Sequence, residues 1–167
     1  MNKKIIDFLA TGFYSGKLPI APGTWGTFVA FLLVSAVKFF FDPPPTFTMV
    51  HTITLAVVTI AISIYVSNKA VDYKLYGEDK DPSQIVIDEF AGYFVAIAGL
   101  PFTYATFIGA FILFRLFDIK KVWPANKLEA LPRGYGITLD DVAAGVYANL
   151  YIWVIIFFVA GGWTHFV

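Results

Sequence analysis

Cysteine is absent from the 167-residue chain, histidine occurs only twice, and charged residues make up 14 % of it. The first absence excludes a disulfide framework, a thiolate zinc site and a cysteine nucleophile. The shortage of charge leaves too little polar surface to cover a soluble globule. Charge of either sign in excess is also lacking: 12 Lys and Arg balance 12 Asp and Glu, so bulk charge gives no reason to expect a nucleic-acid partner. No HExxH, CxxC, Walker loop or GxSxG pattern occurs. The chemistry left to this chain rests on carboxylates, amines, hydroxyls or the two histidines.

What the chain has instead is apolar length. It is 58 % hydrophobic and 19 % aromatic, with a mean hydropathy of +0.71. These values predict one all-α, multi-pass membrane domain over residues 1–167, without internal repeats. A helix crossing a hydrocarbon core needs about 20 apolar residues. Five segments approach that length, at 24–41, 47–66, 84–100, 103–119 and 142–163. FDPPPT at 41–46 breaks the chain between the first two, because proline lacks the amide donor and clashes with the preceding turn. LPFT at 100–103 forms a tight turn between the third and fourth, the shortest pair, so a hairpin that stops short of the far interface is also open. MNKKIIDFLATGFY reads as an interfacial helix, with Ile5, Phe8 and Leu9 toward lipid and Lys3, Lys4 and Asp7 toward water.

Lys and Arg accumulate on cytoplasmic loops. Here they cluster before the first span (Lys3, Lys4, Lys17), after the second (Lys69, Lys74, Lys80) and after the fourth (Lys120, Lys121, Lys127, Arg133). FDPPPT, LPFT and the tail GGWTHFV carry none, and Lys38 can snorkel to the outer interface. This asymmetry predicts a cytoplasmic N-terminus, an external C-terminus and an odd number of crossings, which five satisfies. It also sends both histidines, His51 and His165, to the outer side.

The same topology brings Asp88 and Glu89, Asp118, and Asp140 and Asp141 to the cytoplasmic boundary from three helices. Capping explains part of this pattern: Asp81-Pro82 resembles a helix start and Thr138 with Asp141 a capping box. It does not explain Asp88, Glu89 and Asp118. Clustered carboxylates repel one another unless a cation joins them, and hard oxygen ligands suit Mg²⁺, Mn²⁺ or Ca²⁺. GKLPIAPGTWG at 16–26 offers Lys17 and a turn in which Thr24 is expected to cap the first span, an anion-binding arrangement. Arg115 and Lys120 flank Asp118, and Arg115 with Asp118 is also readable as an i, i+3 ion pair.

Four stretches in order, GKLPIAPGTWGT, DPSQIVIDEFAGY, FRLFDIKKVWPANKLE and GYGITLDDVAAGVYAN, resemble the phosphatidylglycerophosphatase A family over nearly the whole chain. The resemblance implies a bacterial inner-membrane enzyme with its site at the cytoplasmic face. Such an enzyme uses Mg²⁺ to convert phosphatidylglycerophosphate to phosphatidylglycerol and phosphate. It carries over Asp88, Glu89, Asp118, Asp140 and Asp141 as the catalytic and metal-binding acids. Lys17, Thr24, Arg115 and Lys120 become the candidates for substrate phosphate. The competing class is an ion-coupled transporter, whose carboxylates would be expected near the midplane in repeated halves. The patches AGY at 91–93 and AAG at 143–145 could pack helices within one chain or between two copies.

Overall fold

The computed structural model describes residues 2–79 and 81–159. Lys80 and the tail with His165 lie outside the described residues. The described chain is helical, with no strand: α1 (Lys3–Ala10), a 3₁₀ turn (Ser15–Lys17), α2 (Pro22–Phe41), α3 (Pro45–Asp72), α4 (Ile87–Ile97), α5 (Tyr104–Lys120), α6 (Ala125–Leu128) and α7 (Gly134–Val159). Three helices are long and apolar enough to cross a membrane: α2, the 48–72 part of α3, and α7.

The expected third span is shorter than 84–100. α4 has 11 residues, about 16 Å of helix at 1.5 Å per residue, which is half a hydrocarbon core. It is nonetheless the centre of the molecule. Nine of its residues, from Ile87 to Ile97, are buried, and it packs on α7, α3, α2 and α5. An early helix end in an apolar medium leaves carbonyls without donors. Here Asn149 of α7 satisfies them: its Nδ2 lies 3.3, 3.1 and 2.9 Å from the carbonyl oxygens of Val95, Ala96 and Ala98. In the turn beyond, the Gly99 amide donates to Thr52 Oγ1 at 3.1 Å, and Gly99 itself has φ +71°, a conformation that a side chain resists. α4 can therefore stop inside the bundle.

Small residues let the helices close on α4. A Cβ on Gly145 would stand 2.3 Å from the Gly92 carbonyl oxygen, and one on Gly92 would meet Phe114 at 2.4 Å. The two expected small-residue patches are thus used between α4 and α7 of one chain. α3 presents Thr52, Thr59, Ser63 and Ser67 as a buried stripe, and Ser63 shares a 2.7 Å hydrogen bond with Thr138 of α7. Small and hydroxylated side chains hold helices together where lipid removes the hydrophobic drive.

Several local expectations change. α7 begins at Gly134, so Thr138 and Asp141 lie inside the helix and form no capping box. Asp81-Pro82 does not open a helix, because residues 81–86 run as bend, turn and irregular chain until Ile87. The Val86 amide in this stretch donates to the Ala10 carbonyl at 2.8 Å, and Val86 packs where Cβ atoms on Gly12, Gly16 or Gly26 would collide with it. Thr24 is the third residue of α2, and Ala21, in the left-handed conformation, occupies the cap position. In α1, Ile5 and Phe8 are exposed as expected, but Leu9 packs partly against the core.

Candidate functional site: a carboxylate cluster with an arginine

Up-and-down connectivity brings the start of α4, the end of α5, the early turns of α7 and the start of α2 to one end of the bundle. Asp88 and Glu89 occupy the first turn of α4, Asp118 the last turn of α5, and Asp140 and Asp141 the second turn of α7. One ligand oxygen from each of Asp88, Glu89 and Asp141 lies within 4.8 Å of the others. Asp88 and Asp141 are only 8 % and 4 % exposed. The five acids are not equivalent. Asp118 Oδ2 pairs with Arg115 Nη1 at 2.6 Å, and Asp140 Oδ2 with Lys121 Nζ at 3.2 Å. Of the three remaining acids, Glu89 lies 3.7 Å from Arg115 Nη1 through its Oε1.

The consequence shows in the buried polar atoms. Asp88 Oδ1, Glu89 Oε2 and Asp141 Oδ2 have no hydrogen-bond partner within the protein, nor do Arg115 Nε and Nη1, the latter being ion-paired with Asp118 without a well-aligned hydrogen bond. Buried polar groups without partners are rare and costly. Three orphan acceptors beside an orphan cationic donor describe a place that can receive a cation and an anion together. Five acids against Arg115 and Lys121 also leave a surplus of negative charge. An all-oxygen set of this density fits a hard divalent cation.

Glycine shapes the wall. A Cβ on Gly23, in the first turn of α2, would sit 2.0 Å from Glu89 Oε1 and 3.1 Å from an Arg115 nitrogen. The APGTW turn therefore contributes closeness rather than a Thr24 cap. Of the other residues expected to bind phosphate, Arg115 is in the cluster. Lys120 is exposed, and it is the next residue, Lys121, that reaches the acids, at 3.2 Å from Asp140 and 2.7 Å from Glu129. Burial works against the Lys121 charge, but those two carboxylates outweigh it and hold its amine above the usual range. The left-handed turn of Lys121, φ 43°, at the end of α5 aims this side chain back; a helical extrapolation through Lys120 does not anticipate that. Lys17 is engaged elsewhere, 2.6 Å from Asp7.

A cavity of about 570 Å³ opens beside the cluster, bounded by Asp81, Glu129, Arg133, Val71 and Ile137. Burial, with Glu129, Asp79 and Asp118 nearby, keeps the Asp81 carboxyl above its ordinary range despite Lys121.

Residues 8–156 match the model of the family described as Phosphatidylglycerophosphatase A. The chain belongs to the phosphatidylglycerophosphatase A family. Two members named Phosphatidylglycerophosphatase A are each 34 % identical to it: that of Haemophilus influenzae, with 90 % of this chain and 88 % of the relative aligned, and that of Escherichia coli, with 83 % and 76 %. A provisionally named phosphatidylinositol-3-phosphatase of Bacteroides thetaiotaomicron is 38 % identical, with 88 % of this chain and 93 % of the relative aligned. No solved structure matches. As a phosphatidylglycerophosphatase A the protein is a membrane lipid phosphatase; the transporter reading gains nothing from these relatives.

Proposed function

We propose that the protein hydrolyses the terminal phosphomonoester of phosphatidylglycerophosphate, with Asp88, Glu89 and Asp141 holding Mg²⁺. The observation that carries this reading is the set of three orphan carboxylate oxygens beside the orphan Arg115 Nε. Bound there, the ion supplies charge neutralisation at the phosphoryl oxygens. Arg115 donates from Nε to the phosphate, and Asp118, ion-paired with Nη1 at 2.6 Å, keeps the guanidinium beside the cluster. Lys121 neutralises Asp140 and offsets charge at the polar cavity, while a carboxylate of the cluster orients the attacking water. Uncatalysed phosphate monoester hydrolysis is among the slowest biological reactions, so preorganised charge must supply most of the acceleration.

The site faces the cytoplasm of a bacterial inner membrane in this reading, because Lys3, Lys4, Lys17, Lys69, Lys74, Lys120, Lys121, Lys127 and Arg133 gather toward the ends of the helices that carry the acids. α2, α3 and α7 cross. α4 and α5 form a hairpin whose two ends return to the same face, so orientation does not depend on how deeply its turn reaches.

The Bacteroides relative gives a second head group to weigh, a phosphoinositide. Phosphate release from phosphatidylglycerophosphate and from phosphatidylinositol 3-phosphate, by purified protein with Mg²⁺ and then with excess EDTA, separates the two. The expected result is metal-dependent release from phosphatidylglycerophosphate. Release from the phosphoinositide alone would reassign the substrate, and release unaffected by EDTA would remove the metal.

A further inference from the structure

The cavity of about 570 Å³ beside the cluster has a charged wall, formed by Asp81, Glu129 and Arg133 and set between Val71 of α3 and Ile137 of α7. Its connection to the cluster is direct. Ile137 precedes Asp140 and Asp141 at i, i+3 and i, i+4 spacing, so the three lie on one face of α7. Lys121 stands between the cavity wall and the acids, with its Nζ 2.7 Å from Glu129 Oε1 and 3.2 Å from Asp140 Oδ2. A single ammonium therefore separates the two. Asp81, on the same wall, is close enough to Lys121 and Asp118 to feel both charges. Neither the metal nor the reacting phosphate uses Asp81, Glu129 or Arg133 in the reading above.

The chemistry of that wall selects its occupant. Glu129 uses one carboxylate oxygen on Lys121, and the Asp81 carboxylate accepts no hydrogen bond among the described residues. Arg133 gives Nη1 to Asp72 Oδ1 at 2.8 Å, which leaves most of the N–H donors of a guanidinium unspent. Carboxylates with spare oxygens suit a hydroxyl donor, and a guanidinium suits a phosphate ester anion. The head group of phosphatidylglycerophosphate carries both next to its terminal phosphate: a secondary hydroxyl on the glycerol that bridges its two phosphates, and the phosphodiester beyond it. A cavity of about 570 Å³ has the size of a small-molecule site and accommodates that segment. We infer that this cavity receives the bridging glycerol and the phosphodiester of the substrate, with Asp81 and Glu129 accepting from the hydroxyl and Arg133 donating to the diester. The wall then favours a glycerol-bridged head group over a phosphomonoester carried directly by diacylglycerol, because a lipid without the hydroxyl leaves the carboxylates unpaired. The inference deepens, and rests on, the lipid phosphatase reading above.

The absence of cysteine lets the cavity be probed without turnover. Single variants Leu131→Cys, on the cavity wall and 40 % exposed, and Val57→Cys, 61 % exposed on α3, are alkylated with a maleimide in detergent. Two phosphonates that cannot be hydrolysed and carry the same acyl chains are compared, one an analogue of phosphatidylglycerophosphate and the other of phosphatidic acid. The first is expected to slow alkylation at position 131 by about fivefold or more and the second by less than about twofold, the discrimination of a site whose polar groups one ligand fails to satisfy. Position 57 should be unaffected by either. Equal protection of position 131 by both lipids, or by neither, would take the glycerol out of the cavity, and equal protection of positions 57 and 131 would mean bulk lipid; each overturns the inference. In turnover, Arg133→Gln is expected to raise KM for phosphatidylglycerophosphate about tenfold with kcat retained, the pattern of lost substrate binding. Lys127→Gln removes an exposed charge of α6 outside the cavity and should not change KM. A lower kcat at unchanged KM in Arg133→Gln, or the same rise in KM in Lys127→Gln, would contradict the assignment. Protection is read without hydrolysis, so a wild-type protein that released no phosphate would refute the activity separately from the cavity.

Discussion

Two charged clusters near the ends of these helices are completed in opposite ways. In the first, Asp7 accepts from Tyr76 Oη at 2.8 Å and from Lys17 Nζ at 2.6 Å, and Lys17 also lies 4.8 Å from the Tyr14 ring. Burial works against the Asp7 charge, but Lys17 and Tyr76 more than offset it and hold the carboxyl below its usual range. In the second, Asp88, Glu89 and Asp141 converge to within 4.8 Å, are more buried and keep oxygens without donors. The first cluster ties α1 and the 3₁₀ turn to the end of α3 and is complete within the chain. The second leaves three carboxylate oxygens without a partner in the chain. Charge alone does not mark a site; charge whose partners are missing does.

The sharpest way to break this contrast is to neutralise one acid in each cluster. Asp88→Asn and Asp141→Asn are expected to lower phosphate release by at least about 100-fold, the scale of losing a preorganised charged group. Their thermal unfolding should stay unchanged or shift upward, because the change relieves repulsion among buried like charges. Asp7→Asn should leave phosphate release within about twofold. Loss of activity from Asp7→Asn, or its retention in Asp88→Asn, would erase the distinction.

Glycine substitutions sharpen it. In Gly23→Ala the new methyl meets the movable end of Glu89, at 2.0 Å, so the carboxylate must swing away. Phosphate release is expected to fall about tenfold with little change in melting temperature, a misplacement cost rather than a folding cost. In Gly145→Ala the methyl meets the Gly92 carbonyl at 2.3 Å, and backbone cannot swing. A destabilisation of about 1–3 kcal/mol, as for overpacked cores, should appear in chemical or thermal unfolding.

The smallest expected effect is acid dependence at Asp7. Its carboxyl titrates lower in the folded chain than in the unfolded one, so its stabilisation is fully present above the unfolded value of about 3.9 and is lost as pH falls through the folded value. Asp7→Asn should cost about 1 kcal/mol at pH 7, and the gap from wild type should close as the pH drops below 4. A gap that widened in acid would contradict the sign.

How much of this was legible in the sequence depended on the kind of signal. The convergence of Asp88, Glu89, Asp118, Asp140 and Asp141 could be read from hydropathy and the placement of Lys and Arg, because up-and-down helices send alternate ends to the same face. The division of those acids could not, since it depends on which oxygens Arg115 and Lys121 reach. α4 looked like a span because 84–100 is apolar apart from Gln84, Asp88 and Glu89 near its start; its early end depends on Asn149, 51 residues beyond Ala98, whose role has no local signature. GYGITLDD was expected to precede the last span, at 142–163, because Thr138 and Asp141 resemble a capping box. In the structure Gly134 and Gly136 are small because backbone of α3 and of residues 129–131 passes where their Cβ atoms would be, and α7 runs through them. The substitution of Lys121 for Lys120 turned on a single left-handed residue.

Direct binding of Mn²⁺, followed by its paramagnetic resonance signal in detergent, tests the central claim without requiring turnover. The wild-type protein and Asp7→Asn should bind the ion with the same affinity, and Asp141→Asn should bind it at least about tenfold more weakly. Equal binding by Asp141→Asn, or none by the wild type, would show that the orphan oxygens of the cluster are not a metal site.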